Sequence, residues 1–271
     1  MSDRKTKHES EKFQFGPWVI TATRSHILES EGELREKFES ALALPQLPEM
    51  IFADNVLRLD HSSGFSLDFT ALEALKLVDA HNDPLKVAVA QAWTEARAGS
   101  EFIREVIKPF DWTYTTNYRG TVRCREGSSC QITDTDERID MEKLKIREKI
   151  HFYSDILLFE DELADNGTSS LNVKIRVMPT SFFILLRFFM RVDNVIVRIC
   201  DTRIYQEAGK DFLLREFSRK DDEVKDIKAP SHAFTDANEI STYLTERESL
   251  FEKIEFPKDV LPQSSKNLRT T

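Results

Sequence analysis

The chain has 271 residues, a formal charge of −9, and 31% charged against 40% hydrophobic residues, which is the composition of a folded globular protein rather than a disordered one. The acidic balance argues against a general nucleic-acid binder, whose affinity comes from neutralising phosphates, and against an anionic membrane surface as partner. Three cysteines fit a reducing compartment, and neither end carries a signal-peptide core or a lipidation box, so a cytoplasmic or nuclear protein is expected.

Residues 1–12 are polar and expected to form a disordered tail. Phe13–Leu28 reads as strand, with a break at Gly16-Pro17 and Trp18, Ile20 and Ala22 on one face. Glu33–Leu44 fits a helix because Leu34, Phe38 and Leu42 recur every fourth residue; Pro45 and Pro48 end it. Asn55–Asp60 and Phe65–Phe69 are short strands around a loop at His61–Gly64. Thr70 and Glu73 stand at capping-box spacing and open a helix to about Ala80. Leu85–Ala98 is ambiguous between helix and strand. Trp112–Tyr118 alternates as a strand, Arg119–Thr133 is loop-rich, and Asp140–His151 is rich in helix formers.

Asp155–Phe217 reads as a meander of five antiparallel strands, with an extension of the preceding helix as the alternative for Asp155–Leu163. Val173, Ile175 and Val177 alternate with Lys174 and Arg176, the pattern of a strand with one buried face. Asn166-Gly167 supplies a hairpin turn that sets Leu158 opposite Ile175 and Ile156 opposite Val177. Asp193-Asn194 suits a two-residue turn, which places Val192 opposite Val195, Phe188 opposite Ile199 and Leu186 opposite Asp201. In that register Asp201 is the only charge on an apolar face, at the end far from the turn. Cys200 falls on the mixed face beside Arg187, as a packed structural thiol. Gly209-Lys210 gives a further hairpin, Ser218–Lys228 a charge-dense connector, Asp236–Leu244 a capped helix, and Phe251–Phe256 a last short element. Arg187, Arg191 and Asp193 break the longest apolar run well short of the roughly 20 residues a membrane helix needs. The expected fold is α+β, with antiparallel sheets in two layers flanked by helices. One domain spans 13–257, followed by a flexible tail at 258–271.

The search for chemistry returns little. No phosphate-binding loop, dinucleotide fingerprint, HExxH or GxSxG is present, and the six histidines have no metal-ligand spacing. No cofactor is expected. Cys124 and Cys130 lack a second pair for zinc and read as ordinary loop cysteines. Glu160, Glu162 and Asp165 read as a solvated edge, because neighbouring strand residues point to opposite faces. Arg119, Arg123 and Arg125 near Tyr118 are a weak basic patch in an acidic chain. Glu73 has a capping role available, Asp201 can bridge two strands, and Ile139, alone among charges, can peg a loop to the core or anchor a partner.

Five stretches carry a resemblance: FGPW at Phe15–Trp18, LPEMIFADNVLR at Leu47–Arg58, KPFDWTYTT at Lys108–Thr116, LLFEDEL at Leu157–Leu163, and the long run Ser170–Arg203. With them the chain resembles the TIPRL family of TOR signalling pathway regulators over most of residues 13–257. The resemblance implies a non-catalytic protein that binds and restrains catalytic subunits of type 2A and related (type 4, type 6) serine/threonine phosphatases. A phosphatase-associated TOR-pathway regulator is a further partner in fungal members. The partner-binding positions it implies are Glu73, Ile139, Ile199 and Asp201, in one composite surface. Glu73 stands where aspartate is expected and Ile199 where methionine is expected, and the chain departs more widely over Arg119–Thr133 and Ser218–Ser231.

Overall fold

The computed structural model describes residues 9–42, 44–78 and 112–257. Among these, thirteen strands form two antiparallel sheets. The smaller sheet has the order β1 (Glu9–Phe15), β2 (Trp18–Arg24), β4 (Val56–His61), β5 (Phe65–Thr70), β6 (Thr121–Cys124). The larger runs β3 (Met50–Ile51), β8 (Phe152–Asp161), β9 (Gly167–Val177), β10 (Ser181–Val192), β11 (Ile196–Glu207), β12 (Phe212–Glu223), β13 (Glu246–Glu255), β7 (Gln131–Asp134). Alternating apolar residues give each sheet an inner face: Trp18, Ile20, Leu57, Leu59 and Leu67 on one side meet Ile156, Val173, Ile175, Phe182 and Ile184 on the other in one buried core. Aromatic pairs tie the layers, with Phe13–Phe152 and Trp18–Phe182 ring centroids each 5.3 Å apart.

The helices are short and sit at the margins. α1 (Glu33–Ala41) buries Phe38. α2 (Ala71–Leu75), α3 (Met141–Lys145) and α4 (Ala237–Ile240) are capped by Thr70, Asp140 and Asp236, whose side-chain oxygens accept backbone N–H groups of the first turn. Such brief helices are not stable alone; the sheets position them.

The five-strand meander is present, but its registers differ from the sequence reading. The β10–β11 turn holds three residues, Asp193–Val195: Val195 N–H donates to the Val192 carbonyl, and Val192 pairs with Ile196. Only Asn194 is left-handed, at φ 61°. The extra residue moves every β11 side chain to the opposite face. Phe188 therefore pairs with Cys200, and Arg187, rather than Leu186, pairs with Asp201. Cys200 joins the main core, where burial pushes its thiol up to about 12. In the β8–β9 hairpin the loop also lengthens, with Leu163, Ala164 and Asp165 left-handed, and Ile156 pairs with Val173. Asn166-Gly167 lies at the end of that loop and does not form a two-residue turn.

Other boundaries move for local reasons. Glu9–Lys12, read as tail, pair with Thr21–Arg24 in β1. Trp112–Tyr118 does not take strand form: Tyr114 has φ 54°, and Thr116 Oγ1 donates to the Ala74 carbonyl. Ser218–Glu223, read as connector, completes β12, and the helix at Asp140 stops at Lys145. Cys124 and Cys130 are joined in a disulfide with Cα atoms 6.1 Å apart. Asp161, in the acidic run, is buried and accepts the N–H groups of Glu49 and Leu163. Arg119 and Arg123 pair with Glu252 and Asp68 rather than forming a free basic patch. Leu85–Ala98, residues 1–8 and 258–271 lie outside the described residues.

Gly167 carries the packing where the first hairpin meets the second. Its φ is 152°, and a Cβ there would overlap the Arg191 carbonyl. Gly167→Ala should lower unfolding free energy by about 2 kcal/mol or more, read from denaturant midpoints; an unchanged midpoint would show that this contact does not constrain the hairpins.

Candidate functional site on the outer face of the large sheet

The corrected register gives β10–β12 an outer face of its own. Pairing places Phe189 beside Ile199, Arg187 beside Asp201 and Leu185 beside Arg203 on that side, with Lys220, Ser218 and Glu216 next to them on β12. One end is covered by a 3₁₀ turn (Ser231–Thr235) and α4. Val197 and Ile199 pack there against Ile227, Ala233, Ile240 and Leu244 in a second, smaller buried cluster. Three cations from the sheet hold this cover by hydrogen bonds. Arg187 Nη1 donates to Asn238 Oδ1 at 2.7 Å, Arg191 Nη1 to the Phe234 carbonyl at 3.1 Å, and Lys220 Nζ to the Ser241 carbonyl at 3.3 Å.

The other end is crossed by the chain between β7 and β8. Thr135 N–H donates to the Phe251 carbonyl, the Arg138 guanidinium stacks 3.5 Å over the Phe251 ring, and Ile139 N–H donates to Glu216 Oε1 at 2.7 Å. α3 then lies near β9, where Arg176 donates to the Leu144 carbonyl. Between the two covers runs a strip containing Arg187, Asp201, Arg203 and Ser218.

The centre of the strip is a bidentate ion pair. Arg187 Nε and Nη2 reach the two oxygens of Asp201 at 2.7 and 2.6 Å. The Asp201 side chain is 3% exposed and that of Arg187 12%, while Arg203, 3.8 Å from Asp201, is 32% exposed. Burial works against the Arg187 charge, but the hydrogen bond to Asp201 and the charges of Asp201 and Asp236 outweigh it, so its pKa is raised. Such a pair is stable only while both partners remain.

The four positions taken from the resemblance divide. Ile199 and Asp201 share the outer face, and Ile139 lies over β12 on the same side through Glu216. All three are buried, at 1%, 3% and 4% exposure; Ile139 is a peg that fixes its loop, not an exposed anchor. Glu73 stands elsewhere. It lines a hollow with Tyr118, Ile132 and Arg215, on the inner side of β12 and β13, and its carboxylate takes Lys76 at 2.8 Å instead of reaching back to complete the capping box. The sequence reading missed Arg187, Asn238 and Glu216. An arginine in the middle of an apolar strand was the one available signal, and it needed the correct register to gain its partner.

Comparison with known proteins supplies the context. A sequence model of the TIP41-like family matches residues 50–228. The human TIP41-like protein is 48% identical over 260 residues, covering 96% of this chain and 94% of its own. The type 2A phosphatase activator TIP41 of Saccharomyces cerevisiae is 38% identical, over 78% of this chain and 63% of its own. The type 2A phosphatase activator tip41 of Schizosaccharomyces pombe is 35% identical, over 78% of this chain and 82% of its own.

Ile199→Ala should cost about 2–5 kcal/mol of unfolding free energy, because it removes the middle of the second cluster. Denaturant unfolding reads this directly, and a cost near zero would mean that the cover does not pack as described.

Proposed function

The chain belongs to the TIP41-like family, and we propose from that premise that it is a non-catalytic regulator of type 2A serine/threonine phosphatases, one that binds their catalytic subunit and restrains it in TOR signalling. The observation that carries the type 2A regulator reading is the alignment, over 78% of the chain, with each of two yeast relatives named as type 2A phosphatase activators; restraint and TOR signalling rest on the resemblance alone. The contact surface is the strip between the two covers. Arg203 and Ser218 offer partly exposed polar groups there, with exposed Asn238 on the adjoining cover, and Ile139, Ile199 and Asp201 act from beneath by holding the covers and the strip in shape. Glu73 enters the same contact only if the partner wraps round the β13–β7 edge. Type 4 and type 6 catalytic subunits, and a phosphatase-associated TOR-pathway regulator, are further partners proposed on the resemblance alone.

The word activator in the relatives' names favours a second reading, an adaptor in phosphatase assembly and turnover. Adding the purified chain to a type 2A catalytic subunit separates the two. Restraint gives a saturable fall in phosphoester turnover, and the adaptor reading gives none. Binding is tested with Ile139→Thr, Asp201→Asn and Arg203→Ala, each expected to weaken affinity on the order of tenfold. A thermal melt beside each variant controls for folding, and Arg203→Ala, being partly exposed, should melt like the parent. Parental affinity in all three folded variants would remove the strip from the contact.

A further inference from the structure

The chain passes from the small sheet to the large one through a short loop, 125–129, between β6 and β7. Leading into it is the run Arg123-Cys124-Arg125-Glu126-Gly127-Ser128, and these two arginines are the only pair in the sequence that stand two residues apart. Arginines three and five residues before a serine are the charge pattern that basophilic kinases read: the guanidiniums pair with acidic pockets while the serine reaches the nucleotide. The groups concerned are open to solvent. Arg125 and Ser129 are exposed and Ser128 is partly exposed. The Arg123 side chain is 56% exposed, in a surface pair with Asp68, which has Arg58 as a second partner at 3.7 Å. Ser218 also follows an arginine at three residues, but that arginine, Arg215, is buried on β12 and paired with Glu252.

The loop does not have the extended shape in which a kinase cleft holds its substrate. Ser128 N–H donates to the Arg125 carbonyl at 3.0 Å and Gly127 is left-handed at φ 81°, which closes a tight turn. The Ser128 hydroxyl folds back onto the same carbonyl at 2.7 Å. The disulfide fixes this shape from both ends. It holds the Cα atoms of Cys124 and Cys130 6.1 Å apart, where the same six steps of extended chain would span roughly 20 Å. While the disulfide stands, the segment from Arg123 to Ser128 cannot be drawn out straight. Once it is cut, straightening is local, because the ladders end at Cys124 on β6 and begin at Gln131 on β7.

Cys124 and Cys130 are partly exposed and open to exchange with a small thiol, whereas Cys200 is buried in the core. We propose that Ser128 is a phosphorylation site for a basophilic serine/threonine kinase, and that the Cys124–Cys130 disulfide closes this site. Two glutathione thiols reduce the disulfide, supplying two electrons and two protons and leaving as glutathione disulfide. In the opened loop Ser128 Oγ bonds to the γ-phosphorus of ATP. The bond from that phosphorus to the bridging oxygen breaks, ADP leaves, and the hydroxyl proton passes to the base of the kinase. The product carries about −1.5 to −2 charges beside Arg123 and Arg125. The proposal does not depend on the phosphatase reading.

The test uses the full chain, oxidised with glutathione disulfide or reduced with dithiothreitol, incubated with ATP and the catalytic domain of protein kinase B. Mass spectrometry of the digested product locates the phosphate. The reduced chain should gain phosphate on Ser128 at least about tenfold faster than the oxidised chain, because misplacement of a substrate in a kinase cleft costs rate steeply. Arg125→Gln should slow the reduced chain by a similar factor, and Ser128→Ala should abolish the signal. The double variant Cys124→Ser/Cys130→Ser cannot close and should react at the fast rate with or without dithiothreitol, with a thermal melt beside it to control for folding. A cysteine-free substrate peptide reads any effect of the reductant on the kinase itself, so the parent chain remains a test even if the double variant is unstable. Equal rates for the oxidised and reduced parent, no phosphate on the loop of the reduced chain, or phosphate on Ser129 in place of Ser128 would overturn the proposal.

Discussion

The outer face of the large sheet depends on one ion pair. Arg187 and Asp201 stand opposite each other on β10 and β11, nearly out of water, joined by two short charge-assisted hydrogen bonds. Taking two charges out of water is costly, and the interaction repays it only when geometry is good and the remaining donors are used. Here they are: the third nitrogen of Arg187 continues to Asn238, so the same guanidinium that neutralises Asp201 also fastens α4 to the sheet. The pair therefore joins register, electrostatics and the cover in one place.

The sheet is thus buried on both sides, unevenly. Its inner face is one continuous core shared with the smaller sheet. Its outer face has a local cluster at Val197 and Ile199, a pegged loop at Ile139, and a polar strip between. This is how a chain without a recognisable catalytic motif can still present a defined surface. The short helices and the 135–139 loop have little stability of their own and take their shape from the sheet, so a change beneath them is felt above. Three of the positions suggested by family resemblance, Ile139, Ile199 and Asp201, lie in that layer and are buried or paired.

The meander, though not the type of its first and third turns, was legible in the sequence because β9 and β10 each alternate a mostly apolar face with a more polar or mixed one. β11 was not. Ile196, Cys200 and Ile204 serve one face while Val197 and Ile199 serve the other, so the pattern alone permits either register, and the choice fell to whether Asp193-Asn194 makes a two- or three-residue loop. That single residue decided whether Asp201 ended an apolar face or paired with Arg187. Trp112–Tyr118 failed for another reason: alternation signals burial on one side, and Tyr114, Thr116 and Tyr118 are buried, but the left-handed backbone at Tyr114 does not belong to a strand. Glu73 was legible as part of a helix start, while its position on the other side of the large sheet depended on the sandwich as a whole.

The most direct test is a double-mutant cycle on Arg187 and Asp201, using Arg187→Gln, Asp201→Asn and the combination, with unfolding free energies from denaturant titration. If the pair organises the outer face, each single change is strongly destabilising and the two are non-additive, with a coupling of about 2 kcal/mol or more. Additive losses, with a coupling below about 0.5 kcal/mol, would mean that the two charges are bystanders and that the covers are held by apolar packing alone.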